Sequence, residues 1–406
     1  MKIAVFHNQP SGGARRALHG FLSELVQRHT VDVFTLTSAD QEMLDDQDVA
    51  TSVTRMEFAF PHPVRGQLYL NDLRRRQGFR RLREVNREAA ERIDSGGYDV
   101  ALVDTCRFQG APPILEFMAT PSVYFCHHRL FTIDDLPRAP AASAYAWVRD
   151  RIHGPFEQWL LRDLWESESR LTRLPARVLT NSDFTRRRMK QVFGVESTVC
   201  RYGVRIPTSC PTGAGSGHVL SVGTLEEHKG HDLVIEALSL LPPSTRPRLL
   251  LIANDGNPGV RARLVAQAAQ AEVDLEISIL PRQEELDQAY ADASLLAFAG
   301  IDEPLGLVVL EAMAHSIPVV AVAEGGVLET VAPGRSGYLV PRQPQAMADR
   351  IAELVADPDR AREMGREGRR IVETDWNWPD RAAFLESILE SVAVPRPRLV
   401  PTGVGG

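Results

Sequence analysis

The chain has 406 residues, 44% hydrophobic and 24% charged, enough apolar material for two buried cores and more than one domain ordinarily holds. A formal charge of −7, from 46 basic and 53 acidic residues, argues against a general affinity for nucleic-acid backbones. Four scattered cysteines, Cys106, Cys126, Cys200 and Cys210, have neither zinc-ligand spacing nor a CxxC pair, which points away from a metal centre or disulfide scaffold and toward reduced thiols in a cytoplasmic protein.

The opening MKIAVFHNQP runs directly into a strand pattern, without the long apolar core of a secretory leader, and no stretch of about 18 apolar residues suggests a membrane span. Short apolar runs follow at 3–6 (IAVF), 31–36 (VDVFTL), 100–103 (VALV), 122–125 (SVYF) and 177–180 (RVLT), separated by longer helical patterns. This alternation predicts a parallel sheet with helices on both faces. Gly12 and Gly13 follow the first strand, where they serve either as a plain turn or as a close backbone approach to a phosphate or an acceptor.

Further on, NDLRRRQGFRRLREVNREAAERI carries Arg74, Arg75, Arg76, Arg80, Arg81, Arg83 and Arg87 on one predicted helix. Its bland reading is a solvated face, with Leu70, Leu73, Phe79, Leu82 and Val85 turned to the core. The sharper reading is peripheral contact with an anionic membrane, at its inner face, or with a phosphorylated, lipid-linked acceptor. His127 and His128 end the fourth of these strands on the expected cleft edge; a structural histidine is the alternative.

After Arg201 the segment YGVRIPTSCPTGAGSG is rich in turn formers, which sets residues 203–216 as a linker between a domain at 1–202 and another at 217–375. HVLSVG, RLLLIA, LEISIL, ASLLAFA and PVVAVA then recur as strands, with helices near 230–241, 259–271, 283–292 and 305–316. The pattern is a second doubly wound α/β domain, and ligands belong between the two at the carboxyl ends of the strands. A helical stretch at 343–393, interrupted near Trp376 to Pro379, is expected to pack back across both domains through residues 376–394, and 395–406 form a tail poor in core formers.

Within SVGTLEEHKGHDLVIEAL, Gly223 follows a strand and Lys229 precedes a helix, so a tight turn, free helix-start amides and an ammonium converge as they would on a phosphate. Glu303 and Glu311 stand eight residues apart in EPLGLVVLE, a loop carboxylate and a helix carboxylate around a glycine turn.

The segment GIDEPLGLVVLEAMAHSIPVV resembles the signature of retaining nucleotide-sugar glycosyltransferases of family 4, and SVGTLEEHKG and GGVLETVAPGRSGYLV resemble two further segments of that family. SGGARRAL, the CHH at 126–128, and NSDFTRRRMKQVFG followed by YGV extend a weaker resemblance through the first domain. The resemblance implies the GT-B fold, two Rossmann-like domains facing across a cleft. It also implies transfer of a hexosyl or related sugar from a UDP- or GDP-sugar to an acceptor hydroxyl with retained anomeric configuration.

By the same resemblance Glu311 takes the ribose hydroxyls and Glu303 the transferred sugar, Lys229 binds the diphosphate, and His127 contacts the sugar or its phosphate. Leu305, Gly306 and Leu307 would offer backbone N–H groups, and Gly12, Gly13 and Gly223 close backbone approach. Thr224 stands where many relatives carry arginine, so the positive charge there must come from elsewhere or be weaker. No cofactor and no metal are required, because Lys229 and the helix amides neutralise the leaving group. Two alternatives of other classes are a nucleotide-sugar epimerase of the same architecture and a noncatalytic sugar-nucleotide sensor.

Overall fold

The computed structural model describes residues 1–39, 44–64, 68–131, 144–207, 217–253, 257–279 and 282–393. Most of the expected linker (208–216), Cys210 and the tail at 395–406 lie outside the described residues.

Seven parallel strands make the first sheet: β1 (Lys2–Asn8), β2 (Thr30–Leu36), β3 (Ser52–Met56), β4 (Val100–Cys106), β5 (Ser122–Cys126), β6 (Arg177–Thr180) and β7 (Thr198–Val199). Six more make the second: β8 (His218–Val222), β9 (Leu249–Ala253), β10 (Leu275–Ile279), β11 (Ala293–Phe298), β12 (Val319–Val322) and β13 (Gly337–Val340). The central strands are buried on both faces, as at Ile3, Ala4, Val5 and Phe6, which is why they read as unbroken apolar runs rather than alternating ones.

The spatial orders are β3-β2-β1-β4-β5-β6-β7 and β10-β9-β8-β11-β12-β13. Both sheets therefore reverse direction of growth at one point, between β1 and β4 and between β8 and β11. Such a reversal splays the flanking loops apart and leaves a crevice beyond the carboxyl ends of those strands. Helices α1 (Gly13–Leu25), α2 (Leu68–Ser95), α3 (Ala144–Leu171) and α4 (Asp183–Phe193) belong to the first half, and α5 (His231–Ser239), α6 (Pro258–Gln270), α7 (Gln283–Asp292) and α8 (Leu307–Ala314) to the second.

The helical stretch expected at 343–393 is three helices: α9 (Pro344–Ala356), α10 (Pro358–Asp375) and α11 (Trp378–Val392). The extra break falls at Asp357, whose side chain caps Arg360 N at 3.0 Å while Pro358 opens the new helix. Beyond the second break the chain returns to the first sheet. Trp378 lies over Gly20 of α1, where any Cβ would come within 2.1 Å of the indole, and its ring meets Phe21 edge-on at 5.2 Å.

The two halves also touch near the strand ends. Glu329 accepts the backbone N–H groups of Asp183 (2.9 Å) and Phe184 (2.8 Å), so a carboxylate of the second half caps α4 of the first, and Arg201 pairs with it at 3.2 Å. Ser182 donates to the carbonyl of Pro304 at 2.5 Å.

Candidate active site

Both reversal points open into one cleft. Gly12 and Gly13 follow β1, Gly223, Thr224 and Lys229 follow β8, and Glu303, Leu307 and Glu311 follow β11; all eight line it, with Arg16 and the apolar Val222, Ile252, Leu286, Phe298 and Val308. Gly12 sits at φ 144°, which non-glycine residues avoid, and this turn delivers the start of α1 to the cleft.

Lys229 closes a short helical turn and donates from Nζ to Glu303 Oε2 at 2.8 Å, each side chain being about one-fifth exposed. Its position is fixed by Gly230, whose φ of +68° and approach to Ala299 O admit no Cβ: one would lie 2.1 Å from that oxygen. Ile301 N–H to His228 O at 2.8 Å ties the same loop to the segment that carries Glu303.

His231 supports the loop from beneath. Its Nε2 donates to Thr224 O at 3.2 Å, so Nδ1 is left as acceptor for Ser221 Oγ at 3.0 Å. Burial pushes its pKa down to about 4, which keeps it neutral and holds this tautomer. Gly223 carries no steric demand: a Cβ there would make ordinary 3.5 Å contacts with His231 and Lys229.

The Glu303 segment is held from two directions. Arg342 donates to Ala299 O (2.9 Å) and Gly300 O (3.0 Å) while paired with Glu324 at 2.6 Å. Gly325 and Gly326 lie directly beneath: Gly326 N donates to Glu303 O at 2.8 Å, and a Cβ on Gly326 would stand 2.2 Å from Pro304 O. Leu305 is buried in the core and contributes only backbone to this region, and Gly306, at φ +82°, starts α8. Val309 N–H is taken by Gly306 O at 3.0 Å, so the amides that α8 can offer a ligand are those of Leu307 and Val308, two residues that line the cleft.

Glu311, one turn into α8, receives Arg16 Nη1 on Oε1 at 2.7 Å and the Tyr290 hydroxyl on Oε2 at 3.0 Å. Arg16 comes from the other half of the molecule, 295 residues away in sequence. Burial and then Glu311 raise the Tyr290 pKa well above its ordinary value, so the phenol stays a donor. His315 Nδ1 donates to Glu311 O at 2.8 Å and stacks on Tyr290 at 4.7 Å.

His127 lies apart from these residues. Its side chain is 2% exposed, with Nε2 2.7 Å from Asp104 Oδ2 and Nδ1 on the Tyr202 hydroxyl, and it does not line the cleft. His128 is the more accessible neighbour, 28% exposed, with Nε2 2.6 Å from Glu168. Despite burial, Cys126 and Glu168 hold its pKa well above the usual imidazole value. Arg16, Tyr290, Arg342 and Gly326 gave no separate signal in the sequence; two of them sit inside quoted segments, SGGARRAL and GGVLETVAPGRSGYLV, whose contacts only folding reveals.

Two facing Rossmann-ordered sheets with a charged cleft at both reversal points define a GT-B fold. Sucrose-phosphate synthase from Thermosynechococcus elongatus shares it at a TM-score of 0.70 and 19% identity, over 96% of this chain and 99% of that one. Anabaena HepE, in complex with UDP and glucose, shares it at 0.70 and 21%, over 96% and 100%.

Residues 11–205 match the model described as Glycosyltransferase Family 4 and residues 213–371 that described as Glycosyl transferases group 1; the chain belongs to glycosyltransferase family 4. A curated relative, the GDP-mannose-dependent alpha-(1-6)-phosphatidylinositol monomannoside mannosyltransferase of Mycolicibacterium smegmatis, is 35% identical over 181 residues, 42% of this chain and 47% of that protein. The D-inositol 3-phosphate glycosyltransferase of Nocardia farcinica is 32% identical over 182 residues, 42% of this chain and 40% of that protein. The match thus spans about half, or less, of each relative's length.

Proposed function

We propose that the chain is a nucleotide-sugar-dependent glycosyltransferase that moves a hexosyl or related sugar from a UDP- or GDP-sugar to an acceptor hydroxyl with retained configuration. The single observation that carries the reading is the cleft between the two halves, where Lys229 pairs with Glu303 and Arg16, beside Gly12 and Gly13, pairs across it with Glu311. In this reading Glu311 binds the ribose hydroxyls, Lys229 and the α8 amides hold the diphosphate, and Glu303 orients the sugar. GDP-mannose in the name of the mycobacterial relative and UDP in the Anabaena complex make these two donor classes the first to test.

The acceptor oxygen attacks C1 on the face from which the diphosphate departs. The C1–O bond to phosphate breaks, a new glycosidic C1–O bond forms, and the acceptor proton passes to the leaving phosphate oxygen. Positioning and charge stabilisation are the protein's share of the work, and Lys229 supplies the cation in place of a metal. The buried His127, held by Asp104 and Tyr202, then acts on the sugar only after rearrangement; otherwise it stiffens the floor of the first domain.

On the acceptor side, a groove between α2 and α3 is lined by Arg76, Arg80, Arg83 and Arg170 beside Trp159, which is 49% exposed, and Leu73 nearby on α2 is 64% exposed. Arg83 and Arg170 already share Glu116. This combination of cations and exposed apolar side chains favours an anionic, lipid-bearing acceptor or membrane surface. None of the helices among the described residues is long and apolar enough to cross a membrane. Sedimentation with phosphatidylglycerol vesicles tests it: Arg76→Glu/Arg80→Glu should abolish binding, and equal sedimentation of both forms rejects it.

Mass spectrometry of reactions with UDP- and GDP-sugars and candidate acceptors tests the main reading. A new glycoside supports transfer, an isomerised donor supports the epimerase, and an unchanged, tightly bound donor supports the sensor.

A further inference from the structure

The charged side chains among the described residues lining the cleft are Arg16, Lys229, Glu303 and Glu311, and each cation is already matched to one carboxylate. The cleft therefore has no surplus positive charge, although Thr224 withholds the arginine that would have supplied one. An entering diphosphate must obtain its counter-charge by breaking a pair.

The two donors on Glu311 differ in freedom. Tyr290 is 1% exposed and stacked on His315, so its hydroxyl stays with Oε2. Arg16 is 26% exposed, stands in the first turn of α1 just after Gly12 and Gly13, and belongs to the opposite half of the molecule. Ribose hydroxyls are donors that compete for Oε1, and the ligand they can displace is the guanidinium.

We infer that Arg16 is an exchange residue: ribose takes its place on Glu311, and the released guanidinium turns to the diphosphate, supplying the cation that Thr224 lacks. The inference rests on the proposed nucleotide-sugar site. Planar guanidinium and phosphate form charge-assisted, paired hydrogen bonds, so the ion pair lost to Glu311 is replaced rather than merely broken. A nucleoside without phosphate breaks the same pair and offers Arg16 nothing in return. Recognition of base and ribose is thereby coupled to the presence of the diphosphate, and Arg16 joins the two halves of the molecule in both states.

The test is calorimetry on the full chain with UDP, GDP, uridine and guanosine, using wild type, Arg16→Gln and Arg16→Gln/Thr224→Arg. Arg16→Gln should weaken the diphosphate that binds wild type by about 10- to 100-fold, the range expected for one hydrogen bond to a charged group, while the matching nucleoside binds no worse or tighter. The added arginine of the double variant should recover most of the diphosphate affinity. Equal losses for nucleoside and diphosphate would mean that Arg16 only holds Glu311 in place and would overturn the exchange. Unchanged diphosphate affinity in Arg16→Gln, or a double variant no better than it, also overturns it. Failure of the wild type to bind either nucleotide instead removes the site reading on which it stands.

Discussion

Replacing Gly326 by alanine perturbs the site from beneath, through the backbone that runs from Glu303 to Leu305, and leaves every side chain that would meet the donor in place. The new Cβ would lie 2.2 Å from Pro304 O and 2.7 Å from Leu305 Cα, against a floor of 3.0 Å for real contacts. The two backbones must therefore part by roughly 0.8 Å. Neither contact is the flexible end of a side chain, so relief comes only by moving the segment that leads from Glu303 into α8.

Overpacking of this kind costs about 1–3 kcal/mol, and the midpoint of that range lowers the melting temperature of a domain this size by about 4–8 °C. The same shift pulls Pro304 O from Ser182 and the α8 amides from their places, and misplacement near 1 Å can cost about 100-fold in turnover. Gly334→Ala is the control: φ is +74° with nothing within 4 Å, so it carries only about 1–2 kcal/mol of backbone strain. Scanning calorimetry and nucleotide titration of both variants decide the matter. Wild-type stability and affinity in Gly326→Ala refute the cradle, as does an equal loss of affinity in Gly334→Ala.

Lys229→Ala should cut turnover with the productive donor by at least about 100-fold, in line with loss of an oxyanion-stabilising group, while stability falls by about 1 kcal/mol; wild-type rates exclude its charge role. His231 supplies a pH signature. Its folded pKa of about 4 lies below the unfolded 6.5, so its contribution is complete above pH 6.5 and declines as pH falls toward 4, by about 3 kcal/mol in all. In His231→Gln this part of the acid dependence should vanish in denaturant titrations at stepped pH, and an identical slope for both forms rules out a neutral, buried imidazole.

How much was legible in the chain depended on how locally each property is encoded. Parallel strands buried on both faces read as IAVF, VALV or LLLIA, so most of both sheets could be placed by inspection. Strand β3, SVTRM, is half exposed on an edge, β7 is two residues long, and β13, GYLV, is a four-residue edge strand; all three passed unseen. The break at Asp357 was hidden because Pro358 opens a helix as readily as it ends one.

Sequence by itself determined the α/β class, the two-sheet plan and the chemistry on offer: a carboxylate pair eight residues apart, a lysine at a helix entry and glycines after a strand. These follow from short-range rules of periodicity, capping and turn formation. Tertiary structure decided which charges meet. Arg16 reaches Glu311 across 295 residues, Glu329 caps a helix of the other half, Gly326 props the loop of Glu303, and His127 is drawn inward between Asp104 and Tyr202. Pairing at such separations depends on how two sheets are turned toward each other, which no local pattern encodes.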